Sequence, residues 1–134
     1  MSSNSTSFFM YGTLKEGRPL DRPILAAKRT SVNYATIEGS IFDLGHYPTV
    51  KLDGKGIVIG EVHTFPDKDL ELVQSLLDYI EGYNPSYPER GLYNRHKVKA
   101  TLKGGKMVTA WVYEYNGSVN PKSRLSSGVW EPGL

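Results

Sequence analysis

The chain has 134 residues, with 16 Lys and Arg against 14 Asp and Glu, a net charge of +2 and no cysteine. That length is one ordinary domain, able to bury a core without staples. The missing cysteines exclude a disulfide framework, a Cys–His zinc site and a thiol nucleophile, and the near-balanced charge gives no reason to expect nucleic acid or a membrane as partner.

Residues 1–6, polar and uncharged, read as a tail without the basic start and apolar run of a signal peptide. No apolar stretch approaches the ~20 residues of a membrane span, so a soluble, cytoplasmic domain over residues 7–134 is expected. Residues 7–11 predict a buried strand, because Phe8, Phe9 and Met10 follow one another without alternation. The segment LKEGRPLDRP reads as loop, and Ile24–Ala27 as a short helical turn. VNYATIEGSIFDLG predicts strand, turn, strand, with Val32, Tyr34 and Thr36 on one face. GIVIGEVHTF predicts a central strand whose Gly60 marks a bulge or a close approach.

One helix is predicted after Pro66, with Asp67 as its N-cap and Leu70, Val73, Leu77 and Ile80 at helical spacing, widened by Leu76 and Tyr79. Gly82 is its expected C-terminal cap. Pro85 and Pro88 then forbid regular structure. NRHKVKATL and MVTAWVYEY around KGGK predict a hairpin, with Val98, Ala100 and Leu102 opposite Arg95, Lys97 and Lys99. Residues 117–134 read as a coil-like tail that packs back through Val129 and Trp130. Strands, one helix, then strands argue for an α+β fold.

Two fragments draw attention chemically. Glu81 falls on the last helical turn, where the negative end of the helix dipole, and burial further, would raise its pKa toward the range used in general acid–base chemistry. Asp78, one turn earlier, would repel it in the same sense if the two face each other. Read alone, such a group is more often a solvated helix end. In YGTLK, a strand ending at Gly12 can leave successive backbone N–H groups free to hold a carboxylate or an oxyanion. Read alone, that is an ordinary turn. His46, His63 and His96 are scattered and predict no metal site. The basic hairpin with Tyr93, Trp111 and Tyr113 could stack bases, but a solvated strand face is the simpler reading.

Taken in order, FMYGTLKEGRP, YPTV, GEVHTF, LLDYIEGY, LYNR, the hairpin and SGVW resemble the γ-glutamylcyclotransferase-like superfamily, and within it the γ-glutamylamine cyclotransferase branch and its plant and bacterial relatives. The resemblance covers roughly residues 8–130 and looks unlike the glutathione-specific branch. It implies a mixed β-barrel with one main helix packed against it, acting without metal or cofactor on a small γ-glutamyl substrate; a monomer is expected. The implied reaction is attack of the substrate's α-amine on its own side-chain carbonyl, giving 5-oxoproline and a free amine. The family's catalytic glutamate falls on Glu81, its substrate-holding loop on Tyr11, Gly12, Thr13 and Leu14, and a pocket-lining tyrosine on Tyr93. Where relatives often have Gly-Asp-Trp, Val129 replaces the Asp, which weakens any polar role for the tail. The competing expectations are a non-catalytic small-molecule binding or interaction module of the same fold, and a nucleic-acid binder using the basic hairpin. The leaving group is set by the loops LKEGRPLDRP and NPSYPERG, which the sequence leaves unread.

Overall fold

The computed structural model describes residues 6–12, 22–45 and 47–130, the side chains of Ile24 and Ala26 excepted. The predicted positions Thr13 and Leu14, with Lys15 and His46, lie outside the described residues. The elements in chain order are β1 (Ser7–Met10), α1 (Pro23–Lys28), β2 (Ser31–Glu38), β3 (Ser40–Asp43), β4 (Pro48–Lys51), β5 (Ile57–Thr64), α2 (Leu70–Glu81), β6 (Tyr93–Leu102) and β7 (Met107–Tyr115). Five strands close a barrel in the order β1-β5-β2-β6-β7, while β3 and β4 form a separate two-stranded sheet. The barrel is mixed because β1 runs antiparallel to β5 but meets β7 in parallel, Phe8 opposite Trp111.

The unbroken apolar run of β1 has a physical reason. Phe9 enters a core inside the barrel with Ala35, Ile37, Val58, Val62, Ala110 and Val112. Phe8 and Met10, on the other face, enter a second core with Phe65, Val73, Leu77 and Tyr113, beneath α2. Both faces are therefore covered, and alternation is not needed. Gly60 of β5 lies against this strand: a Cβ there would sit 2.4 Å from the Met10 carbonyl oxygen. A close approach, the second of the two predicted meanings of that glycine, is what the strand pair uses.

The predicted helix stands with two corrections. Asp67 does not cap it. Asp67–Asp69 form a 3-10 turn, entered by the Asp69 N–H donating to the Pro66 carbonyl at 3.0 Å, and α2 begins at Leu70 with no side-chain cap. Asp69 instead pairs with Lys28 Nζ at 3.5 Å, which ties the helix entry to α1. Tyr79 does not widen the buried stripe; it is 86% exposed. Val73 and Leu77 carry the burial, with Leu70, Leu76 and Ile80 at its margin; burying one such side chain fully is worth roughly 1.5–3 kcal/mol. Gly82 ends the helix in the left-handed region at φ 67°, where a glycine carries no Cβ penalty.

In β2, Tyr34 is exposed and Val32 and Thr36 are only partly covered, while Ala35 and Ile37 turn inward. Periodicity identified the two faces, and the one carrying Ala35 and Ile37 is the one that the barrel interior covers. The chain after β7 folds back, and Trp130 is buried in the barrel core.

Candidate functional site

Glu81 closes α2, and the chain beyond it is pinned to the start of β6. The Tyr83 N–H donates to the Asp78 carbonyl at 2.8 Å, and the Leu92 N–H donates to the Gly82 carbonyl at 2.9 Å. These bonds carry the helix end toward Tyr93, the first residue of β6. The Glu81 carboxyl is pushed up to about 7 by burial. Asp78, expected to repel it, is no part of the cause, because it is turned to other partners. Arg95 Nη1 donates to both Asp78 oxygens, at 3.0 and 2.9 Å, and the Tyr113 hydroxyl donates to Asp78 Oδ1 at 2.6 Å. One carboxylate at the helix end is thus fully occupied, and the other carries no hydrogen bond among the described residues.

The charge of that second carboxylate reaches three buried phenols. Burial, first, and then the negative charge of Glu81 hold Tyr11 well above the ordinary tyrosine range, and the same two causes lead for Tyr93. Tyr113 is raised by burial, then by its bond to Asp78, with Glu81 a smaller contributor. All three stay protonated at neutral pH, so each is a hydrogen-bonding group rather than a base. The Tyr11 hydroxyl donates to the Tyr113 carbonyl at 2.7 Å, locking the end of β1 against β7. Tyr93 directs its hydroxyl at the Pro48 carbonyl over a long 3.5 Å and stacks, tilted, on Tyr115 at 5.6 Å between centroids.

The third wall comes from β4. A Cβ on Gly12 would meet Pro48 Cγ at 2.5 Å and Cδ at 2.9 Å. The missing side chain of Gly12 therefore makes room for a proline of this same chain. The strand is held on its other side by Lys51 Nζ donating to the Tyr115 carbonyl at 2.6 Å and the Leu52 N–H donating to Glu114 Oε2 at 2.7 Å. Between Pro48 and Val50, Thr49 is fully buried, and its hydroxyl lacks a hydrogen-bond partner among the described residues. It adjoins the Tyr11 and Tyr93 hydroxyls closely enough to favour their ionised forms, without reaching hydrogen-bond geometry with either.

Of the residues predicted for the site, Glu81, Tyr11, Gly12 and Tyr93 come together here. Thr49 and Tyr113 were missed. YPTV stood among the motifs of the resemblance without a role for its threonine, and Tyr113 stood in a hairpin read as a solvated face. That hairpin's Arg95 is committed to Asp78, and its guanidinium lies 4.8 Å over the Trp111 ring, with Lys97 Nζ at 4.9 Å.

A closed mixed barrel with one main helix, and a helix-end glutamate among buried tyrosines, defines a class. The chain belongs to the gamma-glutamyl cyclotransferase, AIG2-like family, whose model matches residues 8–132. A Methanocaldococcus jannaschii protein, named provisionally as a gamma-glutamylcyclotransferase, is 31% identical over 108 residues, which are 80% of this chain and 82% of that protein. The crystal structure of YkqA from Bacillus subtilis matches with a TM-score of 0.65 at 25% identity, over 95% of this chain but only 40% of YkqA, so this chain spans less than half of that protein's length. An AIG2-like protein from Mus musculus shares the fold, with a TM-score of 0.65 at 19% identity over 96% of this chain and 89% of that one.

Proposed function

We propose that the protein is a γ-glutamyl cyclotransferase, converting a γ-glutamyl amine or γ-glutamyl amino acid to 5-oxoproline and the free amine. The observation that carries this reading is Glu81: a partly buried carboxyl raised to about 7, beside Tyr11 and Tyr93. A carboxyl of that acidity is near half-ionised at neutral pH, the state a general acid–base group needs.

In the proposed reaction Glu81 takes a proton from the substrate's α-ammonium. The freed nitrogen lone pair attacks the side-chain carbonyl carbon, closing a five-membered ring. The tetrahedral intermediate then expels the γ-nitrogen, which takes the first proton back from Glu81 as the C–N bond breaks; the ring nitrogen, still carrying two hydrogens after the attack, gives its surplus proton through the same carboxylate to the departing amine, which leaves as an ammonium. Proton and electron pairs balance with one carboxyl and no external reactant. The nucleophile is tethered to its target, so no activated serine or cysteine is required. Tyr11 and Gly12 carry the near side of the substrate loop, and Tyr93 lines the opposite side. Thr13 and Leu14 take their proposed place in that loop from the family resemblance.

The test is a panel of γ-glutamyl amines, γ-glutamyl amino acids and glutathione assayed for 5-oxoproline. Release from at least one is expected. No product from any of them replaces this reading with a binding module of the same fold.

A further inference from the structure

Thr49 is a polar group that the fold buries and that has no partner among the described residues. Its residue is 0% exposed, and its Oγ1 has no hydrogen-bond partner among them. A hydroxyl left so costs about 1–3 kcal/mol relative to one that is paired, and buried groups of this kind are rare enough to need a reason. The hydroxyl is not on a mobile edge: the hydrogen bonds of Lys51 and Leu52 anchor β4, and Pro48 is wedged against Gly12.

Its surroundings say what is missing. The Tyr11 hydrogen is spent on the Tyr113 carbonyl, so the Tyr11 oxygen faces this space as an acceptor. The Tyr93 hydrogen is directed at the Pro48 carbonyl. Glu81 brings carboxyl oxygens whose charge reaches both phenols. The Thr49 O–H and the Val50 N–H are the donors that act on the Tyr11 oxygen; set against the oxygens of Tyr11, Tyr93, Thr49 and Glu81, they leave the corner with more lone pairs than hydrogens. The group that satisfies it is a multiple donor, and an ammonium, with three N–H bonds, fits that chemistry better than a carboxylate or carbonyl.

We infer that Thr49 Oγ1 is a direct substrate contact which, with Tyr11 Oη and the Glu81 carboxylate, cradles the α-ammonium of a γ-glutamyl substrate. The inference rests on the cyclotransferase reading. It assigns β4, and not only the Tyr11–Leu14 loop, to substrate recognition, and it gives the enzyme a means to hold the reacting nitrogen beside its base.

The experiment uses Thr49→Val, which deletes the hydroxyl and keeps the branched shape, and Thr49→Ala as a second hydroxyl-free variant. Each is made in wild type for turnover and in a Glu81→Gln background for titration. The ligands are an N-alkyl L-glutamine and its counterpart with hydrogen in place of the α-amine. Loss of a hydrogen bond to a charged group predicts a fall in affinity and in kcat/KM of about 10- to 100-fold for the amine-bearing ligand. The des-amino ligand should bind the variants as it binds their parent. Thr49→Ser should regain most of the loss, and Thr49→Val should melt no lower than wild type, since an apolar isostere replaces an unpartnered hydroxyl. Equal weakening of both ligands, or of neither, overturns the inference while wild-type turnover keeps the cyclotransferase reading. Absence of both wild-type turnover and ligand binding removes the two together.

Discussion

Gly12 and Pro48 are in contact so close that a single added carbon has no room: an ideal Cβ on Gly12 falls 2.5 Å from Pro48 Cγ. The glycine of the YGTL turn is thus a packing partner of the YPTV strand, and through it β1 and β4 fix each other. Gly12→Ala forces Pro48 or the strand end to move, and overpacking of this kind costs typically about 1–3 kcal/mol. A lowered melting temperature together with reduced 5-oxoproline release is expected. An unchanged melting temperature would mean that the pair separates freely and that β4 is not fixed this way.

The acidity of Glu81 sets a pH profile. Below about 7 its carboxyl is protonated and cannot accept the α-ammonium proton. The expected kcat/KM therefore rises with pH, about tenfold per unit below 7, and bends near 7. A bend near 4.5, the ordinary value for a glutamate, would show that burial does not act on this group in solution.

The same shift has a stability consequence of opposite sense to the usual carboxylate. Between 4.5 and about 7 the folded protein holds a proton on Glu81 that the unfolded chain has released. Folding stability from this group therefore falls as pH rises through that window and stays low above it. Glu81→Gln removes the penalty. The variant should be more stable than wild type at pH 8, by at most about 3 kcal/mol because Glu81 is only partly buried. The difference should vanish near pH 4. Denaturant melts at the two pH values measure it, and a Glu81→Gln protein less stable than wild type at pH 8 contradicts the assignment.

Asp78 is the second acid of the helix end, and its role is mechanical. It receives two bonds from Arg95 and one from Tyr113. Asp78→Asn keeps one acceptor oxygen and loses the charge that balances Arg95. With both partners mostly buried, a loss of about 1–3 kcal/mol is expected. Thermal melts check it, and a melting temperature equal to wild type would show that the ion pair is idle.

Much of this was legible in the sequence. The apolar run of β1, the stripe of Val73 and Leu77, the Gly82 stop and the hairpin follow from local pattern, and the order of motifs carried the family and the mixed barrel. Glu81 was legible as a helix-end acid, though the reason for its raised pKa was only half right: burial is the cause, and Asp78 is turned away to Arg95. Thr49 and Tyr113 were not legible. A threonine in a strand looks the same whether its hydroxyl is paired or orphaned, and Tyr113 joins the site only because β7 closes the barrel beside β1. The exposure of Tyr79 was missed for a related reason: spacing gives a face, and the partner across it decides which side is buried.

The claim on which the rest depends is that Glu81 moves the proton. Steady-state release of 5-oxoproline by Glu81→Gln, on a substrate that the wild type turns over, tests it most directly. The account predicts a folded protein, with circular dichroism and melting behaviour at least as good as wild type, and turnover lowered at least about 10²-fold, the range for loss of a positioned general acid–base group. A folded Glu81→Gln protein that releases 5-oxoproline at the wild-type rate would contradict it.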